Sequence, residues 1–402
     1  MTDDPTGDLP GDLYGYETLL TEDERKELSG IRRFLDEEVR PRVNDAWAAA
    51  EFPMDLVPRF AEEGMVGRSY DLEHRPRASR LFTGFIALET ARVDPSMATF
   101  LGVHNGLSMG SIVLLGSDEQ RARWVPGMVA LDTIGAFALT EPHGGSDVAR
   151  GLETTARRDG DGWVIDGAKR WIGNGTFADV VVVFARDVAD DQVKTFVVEK
   201  GTPGFTPTKM EGKYALRTVQ NADIVFEGCR VPAENKLEHG NSFKDVNRVL
   251  KLTRGGVAWS AVGCQMGAFE AAIAYAKERS QFGRPIAGFQ LIQDLLARMA
   301  GNVTASLGMA VRVSQLQEEG VFKDEQAALA KAFVTGRARE TVALARELFG
   351  GNGILLENDV VRYFADAEAL YSYEGTREIN TLVVGRSITG IGAFVGRAPE
   401  RH

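Results

Sequence analysis

Near the C-terminus, the run YSYEGTRE at residues 371–378 sets one carboxylate, Glu374, among aromatics and a glycine just ahead of a helical pattern. A carboxyl desolvated in that way has a raised pKa, as a general base working near neutral pH requires. The same placement also suits a carboxylate that opposes a helix macrodipole. Far upstream, LTEPHGGSD (139–147) and RWIGNG (170–175) combine backbone amides at Gly144, Gly145, Gly173 and Gly175 with the hydroxyls of Thr140 and Ser146. Such a set can hold a polar ring edge or a pyrophosphate, and it equally makes two tight turns. ERSQFGRPIAGFQ (278–290) gathers Arg279, Phe282 and Gln290 about a Gly-Arg-Pro turn. There an arginine can pair with phosphate and an aromatic can stack on a base, while an exposed loop between bundle helices uses the same residues. Arg254 reads either as a helix-end ion pair or as the charge partner of a ligand.

Composition removes other chemistries. The chain has 402 residues, 44% hydrophobic and 26% charged, which suits a soluble globular protein of two or three domains. Asp and Glu outnumber Lys and Arg by 57 to 46, for a net charge of -11, and no basic stripe interrupts that field, so nucleic acid is not an expected partner. Two cysteines, Cys229 and Cys264, make no disulfide framework and fit a reducing compartment. The histidines, His74, His104, His143, His239 and His402, show no zinc-site spacing, so no metal is expected. The acidic, Pro- and Gly-rich start lacks the blocks of a signal peptide, and the terminal PERH is not a peroxisomal address. The longest apolar run in mid-chain, 180–185, is far short of the roughly 20 residues that cross a bilayer. A cytoplasmic protein without membrane contact is the expectation.

The elements that must position these residues fall into blocks. Residues 1–17 read as a mobile tail. Residues 18–135 are helical in period, with Ser117 and Gln120 forming a capping box. From 136 to 245, short β-branched runs such as WVIDGAKRWI, ADVVVVFAR, KTFVVEK and ADIVFEGCRVP alternate with Gly, Asp and Pro turns, as in a small antiparallel β domain. Residues 246–397 return to long alanine-rich helical stretches that suit an antiparallel bundle. This α, β, α order has no βαβ alternation, so GGNG at 350–353 reads as a loop turn and not as a dinucleotide fingerprint.

Taken in order, LTEPHGGSD, RWIGNG, ERSQFGRPIAGFQ, ELFGGNG and YEGTREIN resemble the acyl-CoA dehydrogenase family over roughly residues 20 to 395. KRWIGN, ELFGGNGIL and SYEGTREINTLVVGRSITGI look most like the branch holding glutaryl-CoA dehydrogenase and the plant short-chain acyl-CoA oxidase. The resemblance implies a mainly α fold: an N-terminal helical domain, a β-barrel-like middle domain and a C-terminal four-helix bundle. It also implies FAD, a homotetramer or dimer of dimers, and an electron-transfer flavoprotein as acceptor. Glu374 matches the base that removes the α-proton of an acyl-CoA, its backbone amide helping to polarise the thioester carbonyl. Phe137, Leu139, Thr140 and Trp171 match residues along the isoalloxazine, with Gly145, Ser146 and Gly173 close by. Arg279, Phe282 and Gln290 match residues that reach the FAD of a neighbouring subunit. Glu347, Gly350 and Gly351 match its phosphate side, and Thr376 and Glu378 its adenosine side. Ser146, Ala98, Arg254, Tyr373 and Gly375 match positions near the substrate.

Two departures shape the expected activity. The Glu and Arg that help hold a distal carboxylate in glutaryl-CoA dehydrogenase are replaced here by Ala91 and Ala98. A buried carboxylate without a cation is costly, so the resemblance implies an uncharged short- or medium-chain acyl-CoA, oxidised to the trans-2-enoyl-CoA. Gly173 stands where many family dehydrogenases carry a threonine that bonds the flavin, as in the plant oxidase branch. An oxidase using dioxygen is therefore the alternative activity, and a helical binding protein that kept the fold and lost the reaction is the non-enzymatic one.

Overall fold

The computed structural model describes residues 9–72 and 75–393. His74, His402 and the PERH terminus, weighed above, lie outside the described residues. Helices α1 (Glu22–Phe34) and α2 (Arg40–Ala49) are joined by a π-helical turn at Leu35–Val39, and α3 (Val57–Glu62) and α4 (Arg80–Val93) follow. A continuous rod then runs through α5 (Pro95–Leu101), a π-helical stretch at Gly102–Met109 and α6 (Gly110–Leu115), before α7 (Asp118–Val129). The Ser117 and Gln120 capping box starts α7, satisfying two N–H groups that a helix start leaves orphaned. Of residues 9–17, expected within a mobile tail, Leu9 and Gly11 are buried while Leu13 and Tyr14 stand exposed; residues 1–8 lie outside the described residues. A Cβ on Gly11 would meet Val303 and Phe269 of the C-terminal bundle.

The middle of the chain forms β1 (Gly135–Ala138), a one-turn helix α8 (Val148–Gly151), then β2 (Thr155–Asp159), β3 (Gly162–Ile172), β4 (Val180–Asp187), β5 (Val193–Glu199), β6 (Phe205–Lys209) and β7 (Ala222–Pro232). The sheet order is β1-β4-β2-β3-β7-β6, with β5 also on β4. The expected β domain is present, but its sheet is mixed and not wholly antiparallel, because β1 and β2 both run parallel to β4. Parallel neighbours need crossovers in place of hairpins, and both strands reach β4 through such connections. Strand β3 pairs with β7 through two register shifts, at Ile165/Gly167 and at Lys169/Ile172. The first needs Gly167, whose φ is 144° and whose Cβ would lie 2.7 Å from Thr154 Cα. The second leaves Arg170 and Trp171 outside the ladder, with Trp171 at φ 65°.

The last block is α9 (Phe243–Glu278), a two-stranded turn of β8 (Ser280–Gln281) and β9 (Arg284–Pro285), α10 (Gln290–Glu318), α11 (Asp324–Leu348), α12 (Val360–Ser372) and α13 (Arg377–Thr389). Helix α9 begins ahead of the expected boundary at 245/246, so Arg254 lies inside this helix and not at its end. Its small residues let it touch α4 backbone to backbone: a Cβ on Gly263 or Gly267 would collide with Leu88 O or Arg92 O. The Pro95–Leu115 rod, 21 residues with mean hydropathy 1.4, is long and apolar enough to cross a membrane, unlike the 180–185 run. In this fold it is a mostly buried core helix packed on β1 and α9.

Candidate active site

A cavity of about 1180 Å³ opens where α4, the Pro95–Leu115 rod, α9, the start of α13 and the β domain converge. Of the residues singled out in the sequence, Ala98, Phe137, Leu139, Thr140, Gly145, Ser146, Trp171 and Gly173 line it, as do Arg254, Tyr373, Glu374, Gly375 and Thr376. Glu374 itself follows α12 in a left-handed conformation, φ 49°, with Gly375 at φ 86° behind it. Thr376 then caps α13, its hydroxyl accepting from Ile379 N. The macrodipole is thereby answered by Thr376, which leaves the carboxyl of Glu374 free for the cavity.

That carboxyl is poised. Glu374 is partly exposed along the cavity wall, yet its Oε2 is sealed from solvent and has no hydrogen-bond partner among the described residues. Burial pushes its pKa up to about 7, while the Thr253 hydroxyl and the charges of Lys331 and Arg254 pull it the other way. Its backbone N–H likewise has no acceptor among the described residues. Lys331 of α11 is buried and donates to Tyr371 O at 2.8 Å and Gly375 O at 2.7 Å. Thr253 and Lys331 escaped the sequence reading. Their only signals are a hydroxyl next to Arg254 and a single cation in the apolar run AALAKAFV at 327–334.

The opposite wall is fixed by a buried ion pair that motif reading also missed. Lys169 Nζ donates to Glu141 Oε1 at 2.8 Å and to Leu139 O at 3.2 Å. Glu141 also accepts from Thr154 N at 2.9 Å and Glu153 N at 2.5 Å. Burial pulls the Lys169 pKa down to about 8, with Glu141 opposing it. The pair clamps the turn that carries Thr140, whose carbonyl accepts from Arg170 N at 2.8 Å. The register shift beside it turns Trp171 outward, 54% exposed on the cavity wall. His104, by contrast, is a satisfied core residue. Its Nδ1 accepts from Gly135 N at 3.0 Å and its Nε2 sits 2.9 Å from Met128 O, so burial keeps it neutral with a pKa near 4. Among the described residues no three His, Cys, Asp or Glu side chains gather as a metal site.

Other predicted residues are not brought to this cavity. Arg279, Glu347, Gly350 and Gly351 line a separate cleft of about 390 Å³ at the end of the bundle. Its floor is Tyr275 stacked on Phe349, centroids 4.1 Å apart, with Asn352 Nδ2 donating to the tyrosine hydroxyl at 2.8 Å. Gly350 and Gly351 leave bare backbone there, since a Cβ on either would meet nothing within 4 Å. Phe282, Gln290 and Glu378 line neither space and stand exposed, Phe282 to 94%.

Three domains enclosing a cavity that holds a poised carboxylate and an aromatic wall are the frame of a flavin-dependent oxidoreductase, and sequence comparison agrees. Acyl-CoA dehydrogenase N-terminal, middle and C-terminal domains match residues 21–132, 136–229 and 241–389. The chain belongs to the acyl-CoA dehydrogenase family. It is 33% identical to a glutaryl-CoA dehydrogenase from Mycobacterium smegmatis solved in complex with FADH2, covering 97% of this chain and 100% of that one, with a TM-score of 0.93. With butyryl-CoA dehydrogenase from Megasphaera elsdenii the values are 31%, 92%, 98% and 0.87. The mouse mitochondrial short-chain specific acyl-CoA dehydrogenase is 34% identical over 358 residues, 88% of this chain and 87% of that one.

Proposed function

We propose that the protein oxidises an uncharged short- or medium-chain acyl-CoA to its trans-2-enoyl-CoA, with Glu374 as the base and an electron-transfer flavoprotein as the final acceptor. The observation that carries this reading is the unpartnered, solvent-sealed Oε2 of Glu374 on the wall of a large cavity, with a pKa of about 7. FAD is the family's cofactor. The residues present fit such a group: Phe137, Leu139 and the outward Trp171 make an aromatic and apolar wall, while Thr140, Gly145 and Ser146 offer polar groups beside it. When bound, FAD supplies the acceptor for the hydride that leaves Cβ.

The chain's own residues do the rest. Glu374 takes the proton from Cα, so one C–H bond breaks to the carboxylate as the Cα–Cβ double bond forms. A thioester α-proton is far too weakly acidic for a bare carboxylate, and stabilising the developing enolate oxygen must supply much of the help. The free N–H of Glu374 is the donor this chain offers for that oxygen. Water exclusion around the carboxyl, which raises its pKa, also makes it a stronger base at neutral pH.

Anaerobic addition of acyl-CoAs to the FAD-loaded protein tests the reading: short or medium chains bleach the flavin, and no bleaching with any straight or branched chain sinks it. The panel includes glutaryl-CoA as the charged control: Arg80 lines the cavity, and a preference for this substrate would overturn the uncharged assignment. Oxygen consumption separates dehydrogenase from oxidase. At Gly173, the position that motivates the comparison, a Cβ would stand 3.1 Å from Val103 on the cavity wall.

A further inference from the structure

We propose that Lys331 is the positioning residue of the base loop: its ammonium clamps Glu374 in place from behind and provides the standing positive charge that sets the acid limit of the reaction. The inference rests on Glu374 being the base.

The clamp is geometric. Lys331 Nζ bonds the carbonyls of Tyr371 and Gly375, at 2.8 and 2.7 Å, and so grips the loop on both sides of Glu374. Both Glu374 and Gly375 are left-handed there, a conformation that costs energy at a residue with a Cβ and persists only when its surroundings enforce it. Asn380 of α13 adds a neutral anchor, Nδ2 donating to Gly375 O at 2.9 Å and Thr376 O at 3.0 Å. Among the described residues these two carbonyls alone hold the ammonium, so no carboxylate there neutralises it at contact distance.

The charge survives burial. Desolvation pulls the Lys331 pKa down to about 8, with Glu374 and Glu378 opposing, so the group is mostly protonated at pH 7. The charged or titratable groups that face the loop are Arg254 from α9, Lys331 from α11, Tyr373 on the loop and Glu378 on α13. Cys264 of α9 and Asp366 of α12 stand beside Tyr373. Arg254 and Lys331 are the two cations that lower the Glu374 pKa, and Lys331 is the larger influence. Because this charge favours the carboxylate, its removal raises the Glu374 pKa, and the base is then lost at a higher pH.

The test uses FAD-loaded Lys331→Gln and Lys331→Met beside wild type, with kcat/KM followed against pH. In both variants the acid limb moves up by about one pH unit, the lower end of what a neighbouring charge does. Lys331→Met also loses the clamp, so its plateau kcat falls by about 10- to 100-fold with little change in KM, as a misplaced base would give. Asn380→Leu removes only a neutral anchor and lowers the plateau without moving the limb. Independently of turnover, amide hydrogen exchange over residues 372–378 speeds up in Lys331→Met. An unmoved limb in Lys331→Gln overturns the proposal, and that variant decides the matter if Lys331→Met does not fold. Glu374→Gln separates the two readings: if it stays active the base assignment itself falls, whereas an inactive Glu374→Gln with an unmoved limb in Lys331→Gln removes only the role of Lys331.

Discussion

The large cavity and the cleft at the end of the bundle are built from different materials. Around the cavity, charge lies behind the surface: Lys331 grips the loop that carries Glu374 and Lys169 pairs with Glu141, both out of solvent. The smaller cleft sets bare glycine backbone and the Arg279 side chain over an apolar floor of Tyr275 and Phe349, with Phe282 exposed on the same turn and, among the described residues, in ring contact only with Phe289, at 6.0 Å. One region is organised by its own chain, and the other offers groups to something that its own chain does not supply. We propose that the cavity moves the proton with groups of this chain alone, whereas the cleft grips an extended dinucleotide together with a second copy of the chain. A homotetramer follows as a proposal.

The largest effect should come from the self-sufficient side. Glu374→Gln is expected to lose activity by at least the roughly 100- to 10,000-fold typical of a general base, since the amide cannot take the proton, while the flavin absorbance of the purified protein stays unchanged. Turnover within tenfold of wild type would break the contrast. Next, Lys169→Met leaves Glu141 buried without its cation and should cost about 3–5 kcal/mol, measured by denaturant unfolding of the flavin-free protein. Phe282→Ser should leave that same flavin-free stability nearly unchanged, because the ring is almost wholly exposed. Its loss should appear instead in FAD retention after gel filtration and in the size of the assembly, and a flavin-free protein destabilised by this change would contradict the picture. The mildest test is the wild-type pH profile. With its pKa raised to about 7, Glu374 is protonated below that pH, so kcat/KM should fall as pH drops through 7 and not near 4.5.

Part of this was open to sequence reading. Glu374 is singled out by the family resemblance, because its local pattern equally suits a helix-start carboxylate, and its place on the cavity wall comes from the fold. The helical, β and helical blocks are legible because period survives in sequence. Lys331 is not, since its partners are carbonyls 40 and 44 residues away, and carbonyls leave no mark on residue type. The parallel pairing of β1 and β2 with β4 is invisible for the same reason: strand period says nothing about neighbours. The residues that the family resemblance pools around one cofactor are sorted by the structure into cavity, cleft and open surface. Leu9 carried the least signal, because an apolar residue within a Pro- and Gly-rich start looks like tail until a bundle surface is there to receive it.

The contact between α4 and α9 has a consequence for how such a protein can diverge. At Gly263 and Gly267 the two helices already touch, so their spacing leaves no slack and tolerates no larger residue. Farther along the same pair of helices, Gly84 faces the indole of Trp259, which is held by Ser314 Oγ at 2.9 Å, and both line the cavity. Trimming Trp259 would therefore enlarge the cavity at that end, while the Gly263 end holds the spacing of the two helices. The shape of the cavity can thus change at one end of a fixed crossing without a change in how the helices pack.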